Sequence, residues 1–343
     1  MTVMPPSSER RAAIAAVARY EPVAIRTSEE IEHMVRTASG RFPAPRGTVR
    51  SVTGIDRRHV LADDEQASTL AASAGQLALQ SAGLQPPDLD LLIFGAASAD
   101  MVEPATAHMV ADAMGASCPV FDVKNACNSF LNAVQVADAL IRTHQADRIL
   151  VVSGETPTRA VRYAVTGRRD LREAFAGFTF GDLGTAVVLE AATDGRGILH
   201  SEFIAVSRHW AIGGLPGGGS RHPRGDQWTY FAGDGAKIKA AFDDISPAIV
   251  QRALAATGTC FDDYAVILAH QVTMPFITEF VRRVGIPPDK CVITLPRYGN
   301  VASGTLPLGL SIAIDEKRAG PGDLVLLIGL AGGISAGTMV VRL

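Results

Sequence analysis

The chain has 343 residues, which is too long for one simple core and predicts either two lobes or one large α/β unit. Its composition, with 47% hydrophobic and 20% charged residues, is typical of a soluble globular protein. A net charge of −3 and the lack of a Lys/Arg block interleaved with aromatic residues exclude nucleic acid as an expected partner.

Cysteine spacing and the lengths of the apolar runs indicate a reducing, cytoplasmic location. The four cysteines are far apart and form no C-x-x-C pair: Cys118, Cys127, Cys260 and Cys291. We therefore expect neither a metal site nor a disulfide framework. The apolar run from Ala12 to Ala18 is short, so we interpret it as a first strand rather than a signal peptide. No stretch is long enough to span a bilayer, and no membrane partner is expected.

The first half of the chain alternates helical and extended patterns. In chain order it predicts a helix from Thr27, a polar turn at 51–58, a helix over 66–83, a strand at 90–95, a helix ending at Met114, a strand at 119–123, a helix from Phe130, and strands at 148–153 and 185–190.

Cys127 lies where the predicted buried strand 119–123 gives way to a helix. The helix is indicated by apolar residues spaced for one face: Phe130, Val134, Ala137, Leu140 and Ile141. A thiol at such a turn faces the positive end of the helix dipole and free backbone N–H groups, and both lower its pKa. Cys127 is therefore a candidate nucleophile, and the alternative is a small buried hydrophobic residue.

The second half repeats the order of the first. The run 264–270 parallels 91–96, the run 322–329 parallels 146–153, and the segment 291–295 with Asn300 and a helix over 306–317 parallels the Cys127 unit. We infer a duplicated βαβ-type unit with buried parallel strands covered by helices, whose halves, 1–195 and 196–343, meet near Gly195.

The duplication predicts a shared pocket. If the halves pack about a pseudo-twofold axis, Cys127, His270 and Asn300 come from corresponding corners and converge. Read singly, His270 is explained as a satisfied core histidine and Asn300 as a turn residue after Gly299. Their repeat-equivalent positions favour catalysis.

These residues resemble the thiolase-fold condensing enzymes, and among them the ketoacyl-ACP synthase III branch. The matching motifs run in order along nearly the whole chain: Asn125–Phe130, Phe180-Gly181-Asp182, Pro216–Ser220, Gly233-Asp234-Gly235, His270-Gln271, Tyr298-Gly299-Asn300 and Gly329–Ser335. The resemblance implies an α/β protein with a duplicated five-layered α-β-α-β-α architecture. It also implies a homodimer that uses acyl-CoA or an acyl carrier protein as substrate and partner, without a cofactor.

By this resemblance Cys127 is the nucleophile that takes an acyl group from a thioester. His270 and Asn300 are the donors to the carbonyl of a second thioester. The Cys127 N–H forms the oxyanion hole with a backbone N–H of the terminal glycine turn, which maps to Gly332 or, one residue along, Gly333. These residue types suit a Claisen condensation, which needs a soft nucleophile and preorganised donors.

Several positions depart from the synthase III pattern. Synthase III enzymes often clamp the CoA adenine with a tryptophan and an arginine, and this chain has Thr48 and Val52 at those places. After His270, Thr273 and Pro275 replace the usual asparagine and arginine. This favours carrier-protein delivery or another CoA pose, with Thr273 kept as a substrate-binding candidate. An insertion over 158–178 carries five arginines, interpreted as either a solvated loop or a docking patch for an acidic carrier protein: Arg159, Arg162, Arg168, Arg169 and Arg172.

Two loops complete the candidate site. Gly217, Gly218 and Gly219 are either a flexible loop or a close backbone approach to the pantetheine arm. Glu103 stands where synthase III enzymes place an apolar gate, and its surroundings resemble the head-to-head condensing enzymes of olefin and β-lactone pathways. There the equivalent glutamate enters the partner subunit and acts as base, so Glu103 is a candidate base; the alternative is a surface residue that caps the next helix.

The sequence thus leaves three functions to separate. The first is a condensing enzyme of secondary metabolism that joins an acyl group on Cys127 to a malonyl-type thioester, or to a second acyl-CoA with Glu103 as base. The second is acyl transfer to a hydroxyl or amine without a new C–C bond. The third is a non-catalytic partner subunit, which the intact Cys127, His270 and Asn300 disfavour.

Overall fold

The computed structural model of the protein describes residues 9–40, 46–243 and 246–343. The elements before Gly195 are β1 (Arg11–Tyr20), β2 (Ala24–Thr27), α1 (Ser28–Ala38), α2 (Thr48–Thr53), β3 (Arg57–Val60), α3 (Ala67–Ala82), β4 (Leu91–Gly95), α4 (Thr106–Met114), β5 (Val120–Val123), α5 (Ser129–Arg142), β6 (Arg148–Glu155), α6 (Arg168–Ala174) and β7 (Leu183–Ala192). Those after it are β8 (Gly197–Ala205), β9 (Gly213–Gly214), β10 (Ala232–Gly233), α7 (Gly235–Asp243), α8 (Ser246–Thr257), β11 (Tyr264–Ala269), α9 (Met274–Val284), α10 (Leu295–Tyr298), α11 (Thr305–Asp315), β12 (Leu324–Ala331) and β13 (Ser335–Arg342).

Each half contributes one mixed sheet. The first has the strand order β1-β7-β6-β4-β5 and the second β11-β12-β13-β8. Strands β4, β5 and β6 are parallel, as are β11 and β12, while β1, β7, β8 and β13 pair antiparallel to their neighbours. The expected parallel strands are present in both halves, and each sheet also contains antiparallel strands that the sequence pattern did not predict.

Helices form three layers around the two sheets. α5 and α11 lie between the sheets and share one core with strands of both. α3 and α4 cover the outer face of the first sheet, and α8 and α9 cover that of the second. α11 is buried on all sides from Thr305 to Ala313, as a central helix must be. This arrangement confirms the five-layered α-β-α-β-α fold.

Local signals placed most elements correctly. Thr27 caps α1 in a capping box with Glu30, and Gly83 ends α3 in a left-handed conformation with φ +69°. The first strand is confirmed as β1. Strand β5 is only half-buried, contrary to expectation, because it lies at the edge of its sheet.

Two local expectations were wrong. Residues 51–58 are not a polar turn: they end helix α2 and begin β3, and the side chain of Arg58 is fully buried, donating to the Phe178 carbonyl at 2.9 Å. Segment 291–295 is not a strand, since only one bridge joins Cys291 to Ile267. The Gln271 side chain instead accepts the N–H groups of Thr294 and Leu295, which replaces a sheet ladder.

The structure shows a more regular duplication than the sequence pattern did. α5 and α11 begin at Ser129 and Thr305, and β6 and β12 begin at Arg148 and Leu324, so each later element follows its counterpart by 176 residues. By this shift the counterpart of Cys127 is Ser303, and not Asn300 as the spacing suggested. Ala126 and Ala302, which precede them, share a left-handed conformation with φ +46° and +45°.

Candidate active site

The Cys127 turn is built by its neighbours in sequence. Ala126 is left-handed, and the hydroxyl of Ser129 donates to the Ala126 carbonyl at 2.6 Å and accepts the Asn125 N–H at 2.8 Å. These bonds fold the chain sharply between β5 and α5. As a result Cys127 lies two residues before the first turn of α5, as the sequence predicted.

The electrostatics of Cys127 differ from the prediction. Burial and, second to it, the negative charge of Glu155 raise the pKa of the thiol to about 12, against the opposing effect of the backbone N–H groups of Gly332 and of Cys127 itself. The expected lowering of the pKa was wrong, because desolvation outweighs the helix dipole and the two donors. Of the two terminal glycines, it is Gly332 whose N–H lies within hydrogen-bonding reach of the sulphur.

His270 directly follows β11, and its backbone N–H donates to the Ile328 carbonyl of β12 at 2.9 Å. Its side chain is 2% exposed, and burial lowers the pKa of the imidazole to about 4, so the ring is neutral at physiological pH. Among the described residues the buried Nδ1 has no hydrogen-bond partner. His270 is therefore not a satisfied core histidine, and the ring is available to a ligand.

Asn300 is fixed by a tight turn. Its backbone N–H donates to the Thr179 carbonyl at 2.7 Å, and its Oδ1 accepts the Ala302 N–H at 3.0 Å. Gly299 has φ +69°, and a Cβ there would lie 2.6 Å from the Thr179 oxygen, so only glycine fits. Because Oδ1 is engaged within the turn, the NH₂ group of Asn300 is the one left to donate to a ligand.

Contacts between the halves bring the three loops together. Gly332, at the end of β12, reaches the Cys127 sulphur, and β12 also binds the backbone of His270. Asn128 donates to the Ser335 hydroxyl of β13 at 3.1 Å. On the other side the Glu155 carboxylate, whose charge acts on Cys127, accepts hydrogen bonds from Ser303 at the end of the Asn300 turn. Cys127 and the segments that carry His270 and Asn300 are thus linked through β12 and Glu155, and their sharing of one substrate cleft stays a prediction.

Glu103 is exposed, unlike His270 and Asn300, which are buried. Glu103 lies in an exposed loop before α4, next to Met101 and Val102, which are 48% and 79% exposed. Its peptide bond to Pro104 is cis. The first turn of α4 is capped by Asp122, which accepts the N–H groups of Thr106 and Ala107, so Glu103 is not the cap.

The remaining predicted substrate residues have local contacts. Gly217 donates its N–H to the Trp228 carbonyl at 2.8 Å, Gly218 has φ +86° and faces Val102 of the Glu103 loop, and a side chain at Gly219 would face open space. Thr273 is the N-cap of α9, and its hydroxyl accepts the Phe276 N–H at 3.3 Å. Their roles in binding substrate stay predictions.

Glu155 and Ser303 were missed by the sequence reasoning. Both are fully or almost fully buried, at 0% and 1% exposure. A signal for Glu155 was present, because a carboxylate at the end of the apolar strand 149–152 is unusual without a polar partner. No group of three or more His, Cys, Asp or Glu side chains suited to a metal occurs in the described ranges.

Comparison with known proteins agrees with this geometry. Two family models match, 3-oxoacyl-[acyl-carrier-protein] synthase III over residues 121–207 and its C-terminal domain over residues 254–343. The β-ketoacyl-[acyl-carrier-protein] synthase III of Dinoroseobacter shibae is 33% identical, over 97% of this chain and 99% of that protein. The chain belongs to the synthase III family. The corresponding synthase III of Xanthomonas campestris is 31% identical, over 96% and 97% of the two chains.

Solved structures give the same fold. A variant of Xanthomonas campestris OleA with bound lauric acid and lauroyl-CoA superposes with a TM-score of 0.86 and 25% identity, covering 96% of this chain and 99% of that one. Cerulenin-bound OleA gives a TM-score of 0.88 at 24% identity, over 99% and 100%. The protein is therefore a thiolase-fold acyltransferase and a condensing enzyme of the synthase III type.

Proposed function

We propose that the enzyme loads an acyl group onto Cys127 and joins it to a second thioester by Claisen condensation. The observation that carries this proposal is that β12 joins the two residues: the Gly332 N–H at its end acts on the Cys127 sulphur, and its Ile328 carbonyl accepts the N–H of a buried, neutral His270. Donors fixed at a nucleophile are what acyl transfer requires, because negative charge develops on the thioester oxygen. The acyl donor would be an acyl-CoA or an acyl carrier protein, with no further cofactor.

In the first step the Cys127 sulphur attacks the thioester carbonyl. The N–H groups of Cys127 and Gly332 would stabilise the oxyanion, the bond to the leaving thiol breaks, and the Cys127 proton passes to that thiolate. Because burial holds the pKa of the free thiol near 12, we infer that the proton leaves only as substrate enters. The free enzyme would then be a poor target for general alkylating agents.

In the second step the carbonyl of the second thioester would accept hydrogen bonds from the His270 ring and the Asn300 NH₂. Loss of CO₂ from a malonyl-type thioester leaves an enolate, which attacks the acyl group on Cys127. The new C–C bond forms as the C–S bond to Cys127 breaks, which gives a β-keto thioester and a thiolate. A neutral imidazole suits this role, since it donates without protonating the enolate.

Delivery by a carrier protein is supported at the α2 surface. Thr48 and Val52 leave the adenine clamp of the family without its tryptophan and arginine, and Val52 is 47% exposed. The nearby Arg50 pairs with Asp56 at 2.6 Å. Within the arginine-rich insertion, Arg169 pairs with Glu173 at 3.0 Å, so part of that positive charge is already neutralised. The departure from the clamp is our reason to place the reaction in secondary metabolism.

A homodimer is supported by the surface around Glu103. Strand β5 is an edge strand, and Met101, Val102, Trp210 and Leu215 expose between 48% and 79% of their surface on neighbouring loops. Covering this apolar surface with a second copy would place Glu103 at the neighbouring subunit. All four cysteines are unpaired, which suits the cytoplasm. The halves 1–195 and 196–343 are proposed as the two structural units.

Head-to-head condensation of two acyl-CoAs is the second candidate, and the exposed Glu103 loop favours it. Here the Glu103 carboxylate of a second copy removes an α-proton from the second acyl thioester, and the resulting enolate attacks the acyl group on Cys127. The same cleft and donors serve both routes. Transfer to a hydroxyl or amine is distinguished by the mass of the product.

The test supplies the purified enzyme with acyl-CoAs and acyl carrier proteins and weighs the intact protein and the products. We expect one acyl adduct, absent from Cys127→Ala and kept by Cys260→Ala, whose thiol is exposed. A labelled Cys127→Ala enzyme would refute the nucleophile. Two acyl-CoAs without a malonyl donor then separate the routes. A β-keto product that disappears in Glu103→Gln assigns the base, whereas full activity of that variant removes Glu103 from the reaction.

A further inference from the structure

The Glu155 carboxylate lies at the junction of three loops. It ends β6, is fully buried, and accepts hydrogen bonds from the Ala97 N–H (2.8 Å), the Ser98 N–H (3.1 Å) and the Ser98 hydroxyl (2.9 Å). It also accepts the N–H of Ser303 at 3.1 Å and the Ser303 hydroxyl. No cation pairs with it in the described part of the chain. A buried carboxylate without a cation is costly, which points to a role beyond stability.

The Ser303 contacts lead directly to Asn300. Ser303 closes the turn whose Ala302 is left-handed and donates to the Asn300 Oδ1 at 3.0 Å. A left-handed alanine is strained and persists only where its neighbours are fixed. The Ser303 hydroxyl has one proton, and with that proton donated to Glu155, the Ser153 hydroxyl at 3.0 Å donates in turn to Ser303. Glu155 thus fixes the turn that sets the direction of the Asn300 carboxamide.

The same carboxylate acts on the opposite loops. Ala97 and Ser98 begin the loop that leads to Glu103.

We propose that Glu155 is a positioning residue that fixes Asn300 through Ser303. The proposal rests on the proposed condensation, because it assigns Asn300 to the second thioester. Acylation of Cys127 does not use Asn300, so the two chemical steps are measured separately.

The experiment compares Glu155→Gln and Ser303→Ala with wild type. The first replaces a carboxylate oxygen, which accepts hydrogen bonds, by an amide NH₂, which donates them, and the second removes the hydroxyl that binds Glu155. We expect kcat for condensation by pre-acylated enzyme to fall about tenfold or more in both variants. Acylation of Cys127, followed by intact mass spectrometry, should stay within about twofold of wild type in Ser303→Ala.

Unchanged condensation in Ser303→Ala overturns the positioning of Asn300, and this variant keeps the test valid if Glu155→Gln does not fold. A purely structural role would lower the thermal midpoint and slow acylation and condensation equally, which also overturns the proposal. A wild-type enzyme that forms no condensation product contradicts the proposed function instead, so the two failures are distinguished.

Discussion

The Cys127 and Ser303 turns are counterparts in the two halves and have been put to different uses. Each follows a left-handed alanine, and each precedes a hydroxyl residue, Ser129 or Thr305, that donates back to that alanine. Each is met by the end of a strand from the other half, at Gly332 or Glu155. The Cys127 turn carries a thiol on which an N–H donor acts, whereas the Ser303 turn is hydrogen-bonded to a carboxylate. One backbone motif therefore serves as a nucleophile turn and as an anchor.

Moving the thiol from one turn to the other is the strongest test of this difference. In Cys127→Ala combined with Ser303→Cys we expect no acyl-enzyme, a loss of at least about 10³-fold, because the new thiol is buried beside a carboxylate and lacks the Gly332 donor. Intact mass spectrometry after incubation with acyl thioester measures it. Ser303→Cys alone should carry one adduct; a second adduct would show that the turns are interchangeable.

His270 separates the two chemical steps. In His270→Ala we expect condensation to fall about 10²- to 10³-fold while Cys127 is still acylated, because the donors of the first step are backbone groups. Single-turnover assays with pre-acylated enzyme measure the second step alone. His33→Ala, on the exposed face of α1, is the matched control and should behave like wild type. Equal loss of both steps would place His270 at the nucleophile instead.

The pH dependence of stability reports on the burial of His270. Its pKa is lowered from 6.5 to about 4, so between these values the unfolded chain binds a proton that the folded chain does not. The free energy of unfolding should therefore fall as the pH falls from 6.5 to 4, by up to about 3 kcal/mol from this group. Asp182, whose pKa burial raises to about 6, contributes with the opposite sign.

Chemical denaturation of wild type and His270→Gln at several pH values isolates the histidine, because Asp182 is common to both. We expect the difference in the free energy of unfolding to change with pH only between about 4 and 6.5. A difference that is constant with pH would contradict the burial of a neutral imidazole.

The smallest effect concerns the contact that joins the Cys127 turn to the second half. A Cβ at Gly329 would lie 2.1 Å from the buried Oδ1 of Asn128, whose Nδ2 group donates to the Ser335 hydroxyl. We expect Gly329→Ala to lower the free energy of unfolding by about 1–3 kcal/mol and to slow acylation several-fold. Gly320→Ala, where a Cβ meets nothing within 4 Å, is the control for thermal denaturation. Equal midpoints for the two variants would show that this contact is not needed.

Local patterns were sufficient for much of the fold and of the site. The stripe on α5, the cap at Thr27 and the position of Cys127 depend on residues close in sequence, and all were predicted. The repeat predicted that His270 and Asn300 approach Cys127. It paired Cys127 with Asn300 rather than Ser303, because the connection from β11 to α11 differs in length from the connection from β4 to α5. The segment before Asn300 is hydrogen-bonded to the Gln271 side chain instead of forming a strand.

The sequence by itself determined the family, the order of the elements and the residues proposed to carry the chemistry, since these follow from short-range spacing and side-chain type. Only the tertiary structure decided the ionisation of those residues and their supports. The pKa of Cys127 rises rather than falls, Arg58 is buried, and Glu155 binds Ser303 across the two halves. Desolvation and contacts between distant segments arise when the two halves pack, and local periodicity does not encode them.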